Sequence, residues 1–283
     1  MLLHMEIMVI ALLTAVTCSL PGVFLVLRGV ALMSDALSHA ILLGIALMFL
    51  WVQSLNSPLL LLGAACAGVL TVLCTELIIH SKKLKQDAAI GLVFPLFFSI
   101  GVILISLYAR SVHLDVDMVL LGEIAFAPFT RCIIAGIDCG PYALWVIGCV
   151  LVINLLFIRF FFKELLITTF DKKYAMVIGI SPLFFYYCLM IIISVTAVAT
   201  FDIVGSIMVV ALMITPAATA YLLTKRVGHM LTLSACVAAL SAIVGYILAW
   251  WCDVSIAGAI ATMTGVCFVG ALGLHRAKNK WCN

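Results

Sequence analysis

From Val30 to Val52 the sequence runs for 23 residues with one formal charge, that of Asp35. At about 1.5 Å per residue, a helix of that length crosses the roughly 30 Å hydrocarbon core of a bilayer. Lipid offers no partner to a free N–H or C=O, so a spanning segment of this kind must satisfy its own backbone as a helix. The pattern recurs along the chain, with charges falling at intervals of about 20–25 residues. This delimits candidate spans at 6–28, 30–52, 58–80, 88–109, 141–162, 183–201, 203–224, 229–250 and 255–274. At 66% apolar and 10% charged residues, with a mean hydropathy of +1.35, the chain is not a soluble domain carrying one anchor. The expected fold is all-α: a polytopic transmembrane helical bundle of about eight to nine spans, one integral membrane domain over residues 1–283. Pro216 and its small neighbours make 203–224 a candidate for a broken or re-entrant segment, and 110–140 has room for a short extra helix. The first apolar stretch lacks a basic start and continues to Arg28, so no cleavable signal is expected and the first span directs insertion.

Orientation follows from the basic residues. If the loop His80 to Asp87 faces the cytoplasm, thirteen Lys and Arg residues fall inside, from Arg28 through Lys280, and only Arg110 and Arg131 fall outside. The N-terminus is then outside and the C-terminus inside. Trp51, Tyr108, Trp145, Trp250 and Trp251 come to the outer interface, where amphipathic rings are favoured.

Asp35 and His39 lie four residues apart, on one helical face and one turn from each other. A carboxylate at membrane depth costs about 2.5–3.5 kcal/mol on insertion scales, so its helix is expected to face a partner, a cavity or an ion. Carboxylate plus imidazole is a ligand set for a divalent transition metal; a structural hydrogen-bonded pair between helices is the alternative that spacing alone leaves open. An imidazole must be neutral to ligate, so acid would weaken such a site. By the Irving–Williams order it would hold Zn²⁺ more tightly than Mn²⁺, so the two residues do not select the metal.

The other polar residues have plainer readings. Glu76 is expected to snorkel towards the cytoplasmic loop, Asp87 to cap the fourth helix, and Asp202 to cap the 203–224 segment, with an outer-mouth metal role as the lesser alternative. Asp253 is read as a solvated loop residue. His113, Asp115, Asp117 and Glu123 form a polar outer face that could also receive metal or contact a binding protein. The cytoplasmic segment 163–182 ends in a short amphipathic helix. Asp171 is its N-cap, Tyr174, Val177 and Ile178 form its apolar side, and Gly179 terminates it. The eleven cysteines are scattered without a C-x-x-C and are read mostly as small buried hydrophobes. Cys132 and Cys139 share the outer loop and could pair in an oxidising compartment. Met33, two positions from Asp35, is read as packing.

Five segments then read together: SDALSHAILLGIAL, AIGLVFPLFFSIGVILIS, VLLGEI, TTFDKKYAMVIGIS and IVGSIMVVALMITPAATAYLLTKR. In that order, over about Gly22 to Gly273, they resemble the permease subunits of manganese/zinc/iron ABC transporters. The chain departs from the family pattern at Leu43, where Pro is usual before Gly44. The resemblance implies a fold similar to the vitamin and siderophore importer permeases, in a bacterial inner membrane. It implies that Asp35 and His39 line the translocation path and hold a transported Mn, Zn or Fe ion, with no permanently bound cofactor. It implies that Asp171, Tyr174, Ala175, Ile178 and Gly179 belong to a coupling element docked on an ATP-binding subunit. The sequence contains no G-x-x-x-x-G-K-[ST] loop, so ATP hydrolysis is expected in that separate subunit and not here. The other implied partners are an extracytoplasmic metal-binding protein, membrane lipid and a second permease subunit, identical or related, whose Asp and His would complete a four-ligand site. No nucleic acid is expected. Two further classes stay open here: a stand-alone ion-coupled secondary transporter, although no inverted repeat is evident, and an ABC permease for a metal chelate.

Overall fold

The computed structural model describes residues 2–52, 59–81, 83–108, 124–134 and 137–281. The helices are α1 (Leu2–Arg28), α2 (Leu32–Val52), α3 (Leu59–His80), α4 (Gln86–Tyr108), α5 (Tyr142–Phe160), α6 (Phe162–Phe170), α7 (Lys172–Val177), α8 (Pro182–Val204), α9 (Ser206–Leu223), α10 (Val227–Cys252) and α11 (Ile256–Trp281). Among the described residues, nine of these are long and apolar enough to cross a membrane; α6 and α7 are not. The all-α bundle expected from the hydropathy pattern is the observed fold.

α1 is the axis of the bundle. It packs against α5, α8, α9 and α10 and is buried over most of its length, whereas α11 mostly faces outward. α2 packs between α3 and α4 and touches α8 and α9. The α2–α3 approach is set by glycine: a Cβ on Gly44 would collide with the Gly63 carbonyl, and one on Gly63 would meet the Gly44 carbonyl at 2.8 Å. Small residues of this kind let membrane helices close to van der Waals contact. α2 runs unbroken through Leu43, which is buried.

α1 carries Pro21, which has no N–H to donate to the Thr17 carbonyl one turn earlier. Asn154 of α5, 1% exposed, supplies the missing donor: its amide lies 3.2 Å from Thr17 O and 3.0 Å from Thr196 Oγ1 of α8. Thr196 Oγ1 in turn donates to Ile192 O at 2.8 Å. One amide thereby closes the gap that proline opens and ties three helices together.

Several local expectations are corrected. α9 is one continuous helix with Pro216 buried inside it, neither broken nor re-entrant. Its N-cap is Gly205 at φ 77°, because a residue free to take positive φ makes the α8–α9 joint; Asp202 lies within the last turn of α8. The Ala89 N–H bonds to Lys85 O, so Lys85 occupies the cap position of α4 and Asp87 lies in its first turn, where its charge complements the helix dipole. Asp253 is exposed and ends α10 at φ 52°. Met33 is buried, as packing requires.

The outer segment is not simply helical. A 3-10 turn at Ile124–Phe129 leads into an antiparallel hairpin of β1 (Arg131–Ile134) and β2 (Ile137–Pro141). Arg131 Nη2 lies 3.5 Å from Glu6 Oε1, and His4 Nδ1 lies 2.9 Å from the Tyr246 hydroxyl, which fastens this end of α1 to the hairpin and to α10. His113, Asp115, Asp117 and Glu123 lie outside the described residues, as do the side chains of Tyr108, Cys139 and Asp202. Of the described cysteines only Cys18 is fully buried; Cys66, Cys149 and Cys236 are exposed on the bundle surface. A thiol is apolar enough to face lipid, so hydrophobicity did not imply burial here. Trp51, Trp145, Trp250 and Trp251 project outward.

Replacing Asn154 by Leu leaves the Thr17 carbonyl unpaired in an apolar core. The expected loss is about 1–2 kcal/mol, the range of interhelical hydrogen bonds and unsatisfied buried groups. It should appear as a lowered unfolding midpoint in detergent, while Val152→Leu, on the exposed face of the same helix, leaves the midpoint in place.

Candidate functional site

The chain enters α2 through a three-residue turn. Gly29 sits at φ 70°, Val30 N–H bonds to Leu25 O at 3.0 Å, and Met33 and Ser34 donate to Val30 and Ala31 at 2.9 and 3.2 Å. Ser34, Ala36, Leu37, Ser38 and Ala40 are buried, so α2 is held by one face. The serine hydroxyls are satisfied within the helix, Ser34 on Ala31 O and Ser38 on Ser34 O. Asp35 and His39 occupy the opposite face, with side chains 40% and 27% exposed. They share a face as their spacing predicts.

His39 Nε2 lies 3.4 Å from Asp35 Oδ1. That is long for a charge-assisted hydrogen bond, which closes to about 2.7–2.9 Å. It is about the separation of two neighbouring ligands each roughly 2.1 Å from one tetrahedral divalent ion. The imidazole is clamped by α4: Phe94 stacks on it at 5.6 Å between centroids, and Phe98 meets it edge-on at 5.4 Å. Nδ1 is buried with no hydrogen-bond partner among the described residues, so the ring's position is set by aromatic packing and Nε2 alone turns towards the carboxylate. Phe94 and Phe98 carried no assignable signal in the sequence, since apolar residues one turn apart are ordinary in a span. The described residues contain no third His, Cys, Asp or Glu near enough to complete a metal site. What the pair can supply is two ligands, one oxygen and one nitrogen, on an open face.

The second element is α7. Asp171 is its N-cap, accepting from the Tyr174 N–H at 2.9 Å. Ala175 is buried, Ile178 is the C-cap residue and Gly179 follows at φ 83°. Tyr174, Met176, Val177 and Ile178 are exposed, Val177 at 84%. The apolar side that the spacing predicts is therefore bare. A six-residue helix that buries one alanine and, with its C-cap residue, shows four large apolar side chains is not built for the stability of this chain. Glu76 is half-buried and lines a partly open cleft with Arg28 and Tyr186, bordered also by Gln86 at the end of the loop and by Lys172.

A family model described as the ABC 3 transport family matches residues 3–275. The chain is 48% identical over 259 residues to the manganese transport system membrane protein MntD of Bacillus subtilis, covering 92% of this chain and 88% of that protein. It is 49% identical over 264 residues to the zinc transport system membrane protein TroD of Treponema pallidum, covering 93% and 72%. Among solved structures it resembles PsaBC from Streptococcus pneumoniae in complex with Fab, with a TM-score of 0.78 at 30% identity, covering 94% of this chain and 90% of that one.

The Asp171 cap has a local signature. Asp171→Ala should cost about 1 kcal/mol and speed amide exchange of residues 174 to 177 about fivefold, with exchange in α5 unaltered. Hydrogen exchange read by mass spectrometry checks both.

Proposed function

We propose a function from one premise, that the chain belongs to the ABC 3 transport family: it is the membrane-spanning permease subunit of an ATP-driven importer of divalent transition metal ions. It works as a multi-pass protein of the bacterial inner membrane. The cargo is Mn²⁺, Zn²⁺ or Fe²⁺, all of which accept mixed oxygen and nitrogen ligands.

Asp35 and His39 are the residues that contact the ion. The observation carrying this is their 3.4 Å separation on the open face of α2, with the imidazole fixed from behind by Phe94 and Phe98. A second permease subunit, identical or related, would bring an equivalent pair against the first, and water would fill the remaining positions. An extracytoplasmic metal-binding protein delivers the ion at the outer end. At the inner end the element from Asp171 to Gly179 docks on the ATP-binding subunit through its exposed Tyr174 and Ile178, while Ala175 is buried against this chain and Gly179 terminates the helix. This chain performs no bond chemistry. Its work is to bind the ion loosely enough to release it and to present that binding alternately to the two sides.

In vesicles holding the permease with its ATP-binding and metal-binding partners, Asp35→Ala and His39→Ala should each lower Mn²⁺, Zn²⁺ or Fe²⁺ uptake by at least about 10–100-fold, the loss that removing a mere supporting partner of a metal ligand already causes. Assembly and ATP hydrolysis should persist. Wild-type uptake by both variants would return the pair to a structural role, and uptake without ATP would overturn the importer reading.

A further inference from the structure

Arg28 is the last residue of α1, and its guanidinium reaches a segment 140 residues away in the chain. Nε donates to Thr169 Oγ1 and Nη2 to Thr168 Oγ1, each at 3.1 Å. Both hydroxyl hydrogens are already committed: Thr169 donates to Leu165 O at 2.6 Å and Thr168 to the same carbonyl at 3.3 Å. The two oxygens therefore present lone pairs to the guanidinium, and α6 offers Arg28 a paired acceptor. The Arg28 guanidinium carbon also lies 5.9 Å from the centre of the Tyr186 ring on α8, within cation–π range. These groups line a cavity of about 430 Å³ that Glu76 and Gln86 also border.

The placement of this fork matters more than its strength. On one side, Thr169 is two residues from Asp171, the cap of α7. On the other, Arg28 opens the three-residue turn into α2, and Asp35 follows seven positions later. That turn is short and internally hydrogen-bonded, so a displacement of Arg28 moves the start of α2 and has little slack in which to be absorbed. α6 also packs on α8 and α1, so this corner is where the docking element meets the transmembrane bundle.

We propose that Arg28 is a positioning residue for transport, joining the docking helix α7, through Thr168 and Thr169, to the turn that leads into α2, the helix that carries Asp35 and His39. This rests on the importer reading above. A planar fork bound to two acceptors and a ring holds direction as well as distance, which an ammonium on a flexible stem does not. If Arg28 only anchored α6, its loss would reduce assembly and every activity in parallel. As a link, its loss separates ATP hydrolysis from metal movement.

The test uses the complete complex in vesicles, with Mn²⁺ uptake and ATP hydrolysis measured on the same preparation and assembly measured by size exclusion. The variants are Arg28→Gln, Arg28→Lys and the near-isosteric pair Thr168→Val with Thr169→Val, which leaves the arginine in place. Arg28→Gln and the threonine pair should each lower Mn²⁺ moved per ATP by about tenfold. Combining them should be no worse than either alone, and Arg28→Lys should fail to restore the ratio. An undiminished ratio in the threonine pair, or recovery by lysine, overturns the link. Additive losses from the combined variants also overturn it. Wild-type complex that hydrolyses ATP but moves none of Mn²⁺, Zn²⁺ or Fe²⁺ would instead sink the importer reading on which the link depends.

Discussion

The structure depends on one constraint: a helix bundle with no water around it must satisfy its own polar atoms. α1 shows how tightly this binds. Pro21 deprives Thr17 of its intrahelical donor in the middle of the most buried helix, and the chain answers with an asparagine from α5 and a threonine from α8. Elsewhere the buried hydroxyls of Thr14, Thr71, Thr75 and Thr200 turn back on carbonyls of their own helices. Against that background Asp35 and His39 stand out. They are charged or chargeable, partly open, and paired only at 3.4 Å. Among the described residues a few other buried polar atoms also lack a partner, on Glu6, Glu164, Tyr186 and Ser194, but only at Asp35 and His39 do a carboxylate and an imidazole share an open helical face.

What surrounds the pair explains why it can stay unfinished without collapsing. The buried face of α2 is locked, with Gly44 seated against Gly63 of α3 and Leu37 and Ile41 in the core. α4 contributes two rings that hold the imidazole from the side. The open face therefore belongs to a well-packed helix and not to a loop, which keeps Asp35 and His39 in one mutual geometry.

The spans, the Asp–His pair and the Asp171 cap were legible in the sequence because each has a local signal: a length, a spacing, a side chain next to the backbone it caps. The misreadings share the opposite property. Asp202 has cap chemistry, but Gly205 took the joint because the chain there needs a positive φ that aspartate adopts only at a cost. Asp87 yielded the cap to Lys85 through a boundary shift that no residue type announces. Asn154 and Arg28 act on partners 137 and 140 residues away, so nothing near them in the chain marks their roles. The hairpin at Arg131–Pro141 lies outside the apolar runs, where hydropathy has nothing to say about backbone form. The exposed apolar side of α7 could be read as amphipathic, but only its bareness in the fold shows that it is not a core face.

Two ligands on one helix also make sense of release. A four-ligand structural zinc site contributes about 10–16 kcal/mol of apparent binding energy, far too much for an ion that must leave on every cycle. Asp35 and His39, one turn apart on a rigid helix, move together, so their mutual distance survives any rigid-body motion of α2. The distance from this pair to an equivalent pair on a second subunit does not. On the proposed reading, a small rotation of α2 leaves each half-site intact while pulling the halves apart, so the ion keeps at most one pair of protein ligands and its affinity falls. The short turn after Arg28 is where such a rotation would be imposed. The docking helix and the ion can then exchange work without touching.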